Sequence, residues 1–209
     1  MQWTGATSTQ CSVGGTCNTG VTPTPTPAAG GSDPNVDTVV TASATSIDGS
    51  WDTYTLAVTL KGTASNVYTI YGTGTSPLSV PGAYQCATPF GSNTGGTNAA
   101  FWAVANNAAL GYAQYDSWVT VGVTDGDAAG AISSIGLDFA AWTETAALAT
   151  SDGAVFWMSP DNGPAAGTDA AIAQLTVASG SSGSATMGMQ GRSSGGAADW
   201  TSDNIAFTW

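Results

Sequence analysis

The sequence predicts an all-β fold, a β-sandwich or jelly roll over residues 35–209, on three observations. Short runs alternate apolar and polar residues with the period of a strand. Gly, Pro, Asn and Asp cluster between those runs, as at Gly72-Thr-Gly74, Pro89-Phe-Gly91, Asp125-Gly126-Asp127 and Asp161-Asn162-Gly163-Pro164. Helical composition is confined to the Ala-rich 99–110 and to one turn at 143–149. Many short strands with such punctuation are the pattern of a sandwich or jelly roll.

The first strand is expected at 37–47 and ends in the Asp48-Gly49 turn. Residues 53–61 set Tyr54, Leu56, Val58 and Leu60 on one face and Thr53, Thr55, Thr59 and Lys61 on the other, a half-buried antiparallel strand. Residues 66–72 form another. Residues 115–124 place Val119, Val121 and Val123 opposite Trp118, Thr120 and Thr124. Large apolar groups on both faces predict a strand central to the sandwich or covered by a partner. Further strands are expected at 133–139, 154–158, 170–178, 184–190 and 203–209, the last with Ile205, Phe207 and Trp209 on one face.

Residues 1–20 form a separate Thr-, Gly- and Cys-containing segment. The run Val21-Thr-Pro-Thr-Pro-Thr-Pro27 opens a linker at 21–34, because alternating proline holds an extended, semi-rigid backbone. Thr22, Thr24 and Thr26 are candidate O-glycosylation sites on it. No Asn begins an N-x-Ser/Thr acceptor. Of the three cysteines, Cys11 and Cys17 flank a Gly-containing loop that suits a disulfide. Cys86 is left as a buried thiol or as the partner of an N-terminal cysteine in the same or a neighbouring chain. Residues 1–10 lack the basic start and apolar core of a leader, so the chain reads as mature or partial.

Charge narrows the function classes. Only 8% of residues are charged, the net charge is −12, and Lys61 and Arg192 are the only cations. Two cations cannot neutralise a phosphate backbone, so nucleic acid is excluded as a partner. No run approaches the ~20 apolar residues of a membrane span. With no His in the chain, Ser and Thr lack their usual activating base, and Lys61 sits on a regular strand. The phosphate loop GxxxxGK[ST] is absent. A surface this poor in charge is expected where subunits or glycans cover it.

Several blocks carry a resemblance: YTIYG at 68–72, YDSWVTVG at 115–122, SSIGLDF at 133–139, DGAVFWM at 152–158, AQLTV at 173–177, SGSATMGMQGRS at 182–193, and the closing Asp199-Trp200 with Ile205, Phe207 and Trp209. Together they resemble a group of secreted, largely uncharacterised β-domain proteins of algae and other aquatic protists. The resemblance covers residues 66–209, with MGMQGRS its most specific part. It implies secretion and a surface role, and brings no catalytic residues.

Candidate sites are few. Asp125, Asp127 and Asp161 lie in oxygen-rich loops of the kind that ligate calcium, the only cofactor in view, although neither loop has the 12-residue EF-hand register. The alternative is a turn in which each Asp bonds its own backbone. Asp138 with Glu144, or Asp199 with Asp203, would be the facing carboxylates of a glycosidase, but no spacing joins either pair. The tryptophans are expected in the core, unless two or three share an exposed face as a sugar-stacking platform or subunit contact. Arg192 is expected to pair with an Asp and fix a loop, a pair for which burial is open in a domain with so few cations.

These readings converge on an extracellular structural subunit, not an enzyme. It would be O-glycosylated on the linker and polymerise head to tail by strand or tail exchange into a fibril or cell-surface coat. A carbohydrate-binding module, with or without calcium, is the alternative.

Overall fold

The computed structural model describes residues 33–209 and a short backbone ladder. In that ladder β1 (Gln10–Cys11) pairs β2 (Cys17–Asn18) and Cys11 faces Cys17. The Cys11–Cys17 disulfide, Thr22, Thr24, Thr26 and the proposed tail exchange lie outside the described residues.

The chain is all-β, as expected. β3 (Val36–Ala42) and β4 (Trp51–Leu60) form a hairpin, and β4 also pairs β13 (Ala170–Ala178). β9 (Trp118–Val119) completes this four-stranded sheet at the far edge of β13. The second sheet has seven strands, and its organiser is β14 (Ser184–Gly191). On one side β14 pairs β5 (Thr69–Gly72) and then β6 (Leu78–Val80); on the other it pairs β15 (Trp200–Thr208). Outside β5 lie β12 (Gly153–Trp157) and the edge strand β10 (Ile132–Ile135), while β11 (Leu148–Thr150) pairs β6. All these ladders are antiparallel.

The alternation read from the sequence explains why the sheets face each other. Leu56, Val58 and Leu175 from one sheet and Ile70, Met187, Met189, Ile205 and Phe207 from the other share one buried core. Withdrawing such faces from water supplies the main favourable term in folding. Asp33 ties the start of β3 to β15: its Oδ1 accepts from the Asn35 and Val36 N–H groups and from the Ser202 hydroxyl.

Asn66 knits the other end of the sandwich. Its Oδ1 accepts the Arg192 N–H at 2.7 Å, its Nδ2 donates to the Pro160 carbonyl at 2.8 Å, and its own carbonyl accepts the Trp200 indole N–H at 2.9 Å. That convergence needs glycine at 191, where a Cβ would lie 1.9 Å from the Asn66 carbonyl oxygen. At Gly188 the ring of Tyr71 lies across the backbone instead, 2.2 Å from where a Cβ would be.

Five expectations are corrected. The strand expected at 37–47 ends at Ala42, well before the Asp48-Gly49 turn. The strand expected at 115–124 is only Trp118–Val119, preceded by a 3₁₀ turn at Ala113–Tyr115 and cut at Gly122, whose φ is +80°. It is an edge strand, and its cover is the chain itself: Val119 N–H donates to the Asn93 carbonyl, and Gly95 N–H to the Val119 carbonyl. The helix expected at 99–110 is a 3₁₀ turn and a single α-helical turn, α1 (Trp102–Ala105). Asn107 Oδ1 accepts the Ala109 and Leu110 N–H groups and Asn106 Oδ1 accepts that of Gln114, so these side chains divert the backbone from helix. The small hairpin β7 (Asn106–Asn107) and β8 (Gly111–Tyr112) follows instead. The turn expected at 143–149 forms only at 143–146, and Leu148 enters β11. The strand expected at 133–139 stops at Ile135, because Gly136 turns with φ +67° and Asp138 caps a 3₁₀ turn. Among the described residues no helix is long and apolar enough to cross a membrane.

Substitution of glycine should separate these contacts. Gly191→Ala drives a methyl into a backbone carbonyl and is expected to cost about 3 kcal/mol. Gly188→Ala should cost less, because the Tyr71 ring can shift. Gly74→Ala, with nothing within 4 Å of the added carbon, should stay within about 0.5 kcal/mol of wild type. Urea unfolding midpoints give the ranking.

Candidate functional site

The outer face of the four-stranded sheet is a field of hydroxyls and amides. Register sets Thr41, Thr55 and Gln174 side by side across β3, β4 and β13. In the next row the Thr53 and Thr176 hydroxyls bond each other at 2.8 Å and are buried. The long excursion between β6 and β9 carries α1 and brings Trp102, Gln114 and Tyr115 to this face. With Thr41–Ser43 they enclose a groove of about 210 Å³.

The groove's side chains are held but not used up. The Trp102 indole N–H donates to the Thr97 carbonyl at 3.1 Å, which fixes the ring. Gln174 Nε2 donates to the Gln114 and Asp116 carbonyls, leaving its Oε1 without a partner among the described residues. Gln114 Oε1 accepts from Asn106, leaving its Nε2 free among the described residues. No carboxylate and no cation lines the groove.

The excursion is anchored on one buried carboxylate. Asp116 is 1% exposed. Its Oδ1 accepts the Cys86 N–H and its Oδ2 the Ser92 N–H, each at 2.7 Å. Burial pushes the Asp116 carboxyl up to about 7, against the opposing pull of backbone N–H groups from Cys86, Ser92 and Ser117. Beside it Cys86 is a buried free thiol. Burial and the Asp116 charge push it up to about 11, far from a reactive thiolate.

The sequence-predicted carboxylates do not form a site. Asp127 gives both oxygens to its own turn, accepting the Ala131 N–H at 2.7 Å and the Ile132 N–H at 3.1 Å. Asp161 pairs Arg192 Nε at 2.8 Å. Asp125 stands exposed in the neighbouring turn. Among the described residues no three potential side-chain ligands gather to hold a metal. Asp138 accepts the Ala141 N–H and Glu144 lies exposed, while Asp199 and Asp203 each take a tyrosine hydroxyl, from Tyr68 and Tyr71 respectively. Arg192 pairs Asp199 as well as Asp161, at 2.9 Å, and its guanidinium sits over the Tyr68 ring. The Tyr68 hydroxyl and then Arg192 hold the Asp199 carboxyl below its usual range. Arg192 pairs with Asp as expected, and the pair is partly exposed rather than buried.

Among the described residues no platform of exposed tryptophans forms. Trp118, Trp142 and Trp200 are buried, and Trp51, Trp102, Trp157 and Trp209 are half-buried. Trp102 alone of these lines the groove. Gln114, Gln174 and Asp116 carried no motif; the one available signal was a charge, Asp116, inside the otherwise uncharged run 115–123.

The shifted Asp116 makes stability pH-dependent. Its folded value of about 7 lies above the unfolded value of about 3.9, so the folded chain holds the proton more tightly. Stability from this group is fullest below about pH 4, falls as pH rises toward 7, and is level above that. Unfolding free energy by urea should be roughly 2.5 kcal/mol lower at pH 8 than at pH 5. Asp116→Asn should flatten that difference whatever its effect on absolute stability.

No protein-family model, curated protein or solved structure matches the chain. The resemblance to secreted algal and protist proteins therefore rests on its sequence blocks alone, and the groove's chemistry rests on Trp102, Gln114, Gln174 and the threonines around them.

Proposed function

We propose that this chain is an extracellular β-sandwich module that binds neutral glycan in the Trp102 groove. One observation carries the reading: a fixed indole faces unpartnered amide and hydroxyl atoms in a concavity with no charged side chain. A pyranose has the matching chemistry, an apolar C–H face for the ring and hydroxyls for the amides. The volume of about 210 Å³ lies below the roughly 300–1,000 Å³ of drug-sized sites, which suits one sugar ring at a time. The proposed contacts are made by the indole, amides and hydroxyls of the groove and invoke no metal. O-glycans on Thr22, Thr24 and Thr26 and a secreted location complete the proposal, supported by the Thr-Pro composition.

A second reading, the structural subunit that self-assembles, is favoured by a separate feature. The edge strand β10 ends in Ile135, 67% exposed, and Met158, just beyond β12, is 64% exposed. The unpaired backbone groups of this edge strand, with an exposed Ile135 at one end, are a template for association.

Titration with a panel of neutral glycans, followed by tryptophan fluorescence, tests the first reading. The expected result is saturable binding that persists in chelator and weakens about tenfold or more in Trp102→Ala and Gln174→Ala. A panel without a binder, or affinity unchanged in both variants, would remove the groove from the function. Sedimentation velocity tests the second: wild type should form larger species with concentration and Ile135→Lys should not. A wild type that stays monomeric across the range would remove the assembly reading.

A further inference from the structure

A second cavity borders the same excursion and has different chemistry. It encloses about 320 Å³ between the loop at 89–92, residues 96–101 and the turn that begins at Asp125. Its apolar walls are Phe90 and Phe101; Phe101 is 56% exposed, and Phe90 packs against the small core around Cys86. The walls are tied in place before any ligand arrives. The Thr97 hydroxyl donates to the Phe90 carbonyl, Ser92 Oγ donates to the Thr94 carbonyl at 2.8 Å, and Gly126 N–H donates to the Gly95 carbonyl at 3.1 Å.

One ionic group faces this cavity. Asp125 is exposed and has no hydrogen-bond or ion-pair partner among the described residues, whereas Asp127 two positions on is spent on its own turn. The chain's own cations are committed elsewhere, Lys61 to Asp37 and Arg192 to Asp161 and Asp199. The net charge of −12 adds a field that draws in cations and repels anions. Two aromatic rings beside a lone carboxylate match a positive nitrogen on an apolar body: the rings favour the cation and its hydrocarbon, and the carboxylate fixes the charge. A single carboxylate is too few ligands for a divalent metal.

We propose that this cavity binds an organic ammonium ion, with the charge at Asp125 and the apolar body between Phe90 and Phe101. The same chemistry is offered by a free amine and by a lysine side chain. The volume of about 320 Å³ accommodates a whole free amine, which needs no further surface for a partner's backbone. The cavity adjoins the Trp102 groove, since the Trp102 indole bonds the carbonyl of its wall residue Thr97, but its ligand chemistry is different.

Calorimetric or NMR titration of the full chain tests this with three probes: phenethylammonium, its uncharged analogue 2-phenylethanol, and acetyl-lysine amide. Phenethylammonium should bind at least tenfold more tightly than 2-phenylethanol, and added salt should narrow that gap. Asp125→Asn and Phe101→Ala should each weaken it about tenfold, while Gly74→Ala, remote from the cavity, leaves it unchanged. Both substituted residues are exposed, so unaltered urea midpoints confirm intact folding. Tighter binding of phenethylammonium than of acetyl-lysine amide supports the free-amine source; the reverse order overturns that source. Equal binding of the ammonium and the alcohol, no binding of either, or an Asp125→Asn protein that binds as wild type overturns the site.

Discussion

The side chain and carbonyl of Asn66 join parts of the chain that are far apart in sequence. The segment entering β5, the end of β14, the start of β15 and the loop at 160–165 all meet there, through the Arg192 N–H, the Trp200 indole and the Pro160 carbonyl. Asn66 is buried, so each of those groups would otherwise be a polar atom without a partner, at about 1–3 kcal/mol apiece. Gly191 makes the approach possible by having no side chain to place between Asn66 and Trp200. The blocks that looked most distinctive in the sequence, Gly191-Arg192-Ser193 and Asp199-Trp200, are thus accounted for by closure of the sandwich. Arg192 serves the same end: it ties Asp161 and Asp199 to the Tyr68 ring.

Closing that end leaves the excursion between β6 and β9 as the part of the chain with freedom to present chemistry. It has little core of its own, with Cys86, Ala105 and Ala113 its buried apolar members. Its shape depends on Asp116 instead. A carboxylate held by two backbone N–H groups is a strong tether, and burial is what it costs. The loop that Asp116 ties through Cys86 and Ser92 runs on into the wall of the Phe90–Phe101 cavity, and the carbonyl of Asp116 positions Gln174 in the Trp102 groove. One buried group therefore sets the geometry of both concavities.

The sheets were legible because their information is local. Thr53 to Leu60 alternates cleanly, and the structure puts Leu56, Val58 and Leu60 in the core as that alternation requires. Residues 170–178 and 204–209 read equally well. What failed were segments whose conformation is decided by side chains bonding backbone. Asn106 and Asn107 end a helix that composition favours, and Asp116 stands just before the shortened strand that Val119 and Val121 suggested as a longer one. β6 and β11 are three residues each, too short to show a period. The groove was illegible for a similar reason. Thr41, Gln114 and Gln174 are distant in sequence and ordinary in type, and only strand register and the excursion bring them together.

The scarcity of charge, from which a surface covered by subunits or glycans is expected, acquires a different meaning in the folded chain. Both cations are committed to carboxylates, and several carboxylates are committed to backbone or tyrosine hydroxyls. Little ionic chemistry is left for recognition, so selectivity must come from shape, aromatic faces and neutral donors and acceptors. The two concavities show what that restriction allows. They share one scaffold and each has at least one aromatic wall, yet one has no carboxylate and the other has a single free one, at Asp125. Where the background carries so few fixed charges of opposite sign, one carboxylate is not neutralised by neighbours. It can therefore decide by itself whether a pocket prefers a neutral ligand or a cation.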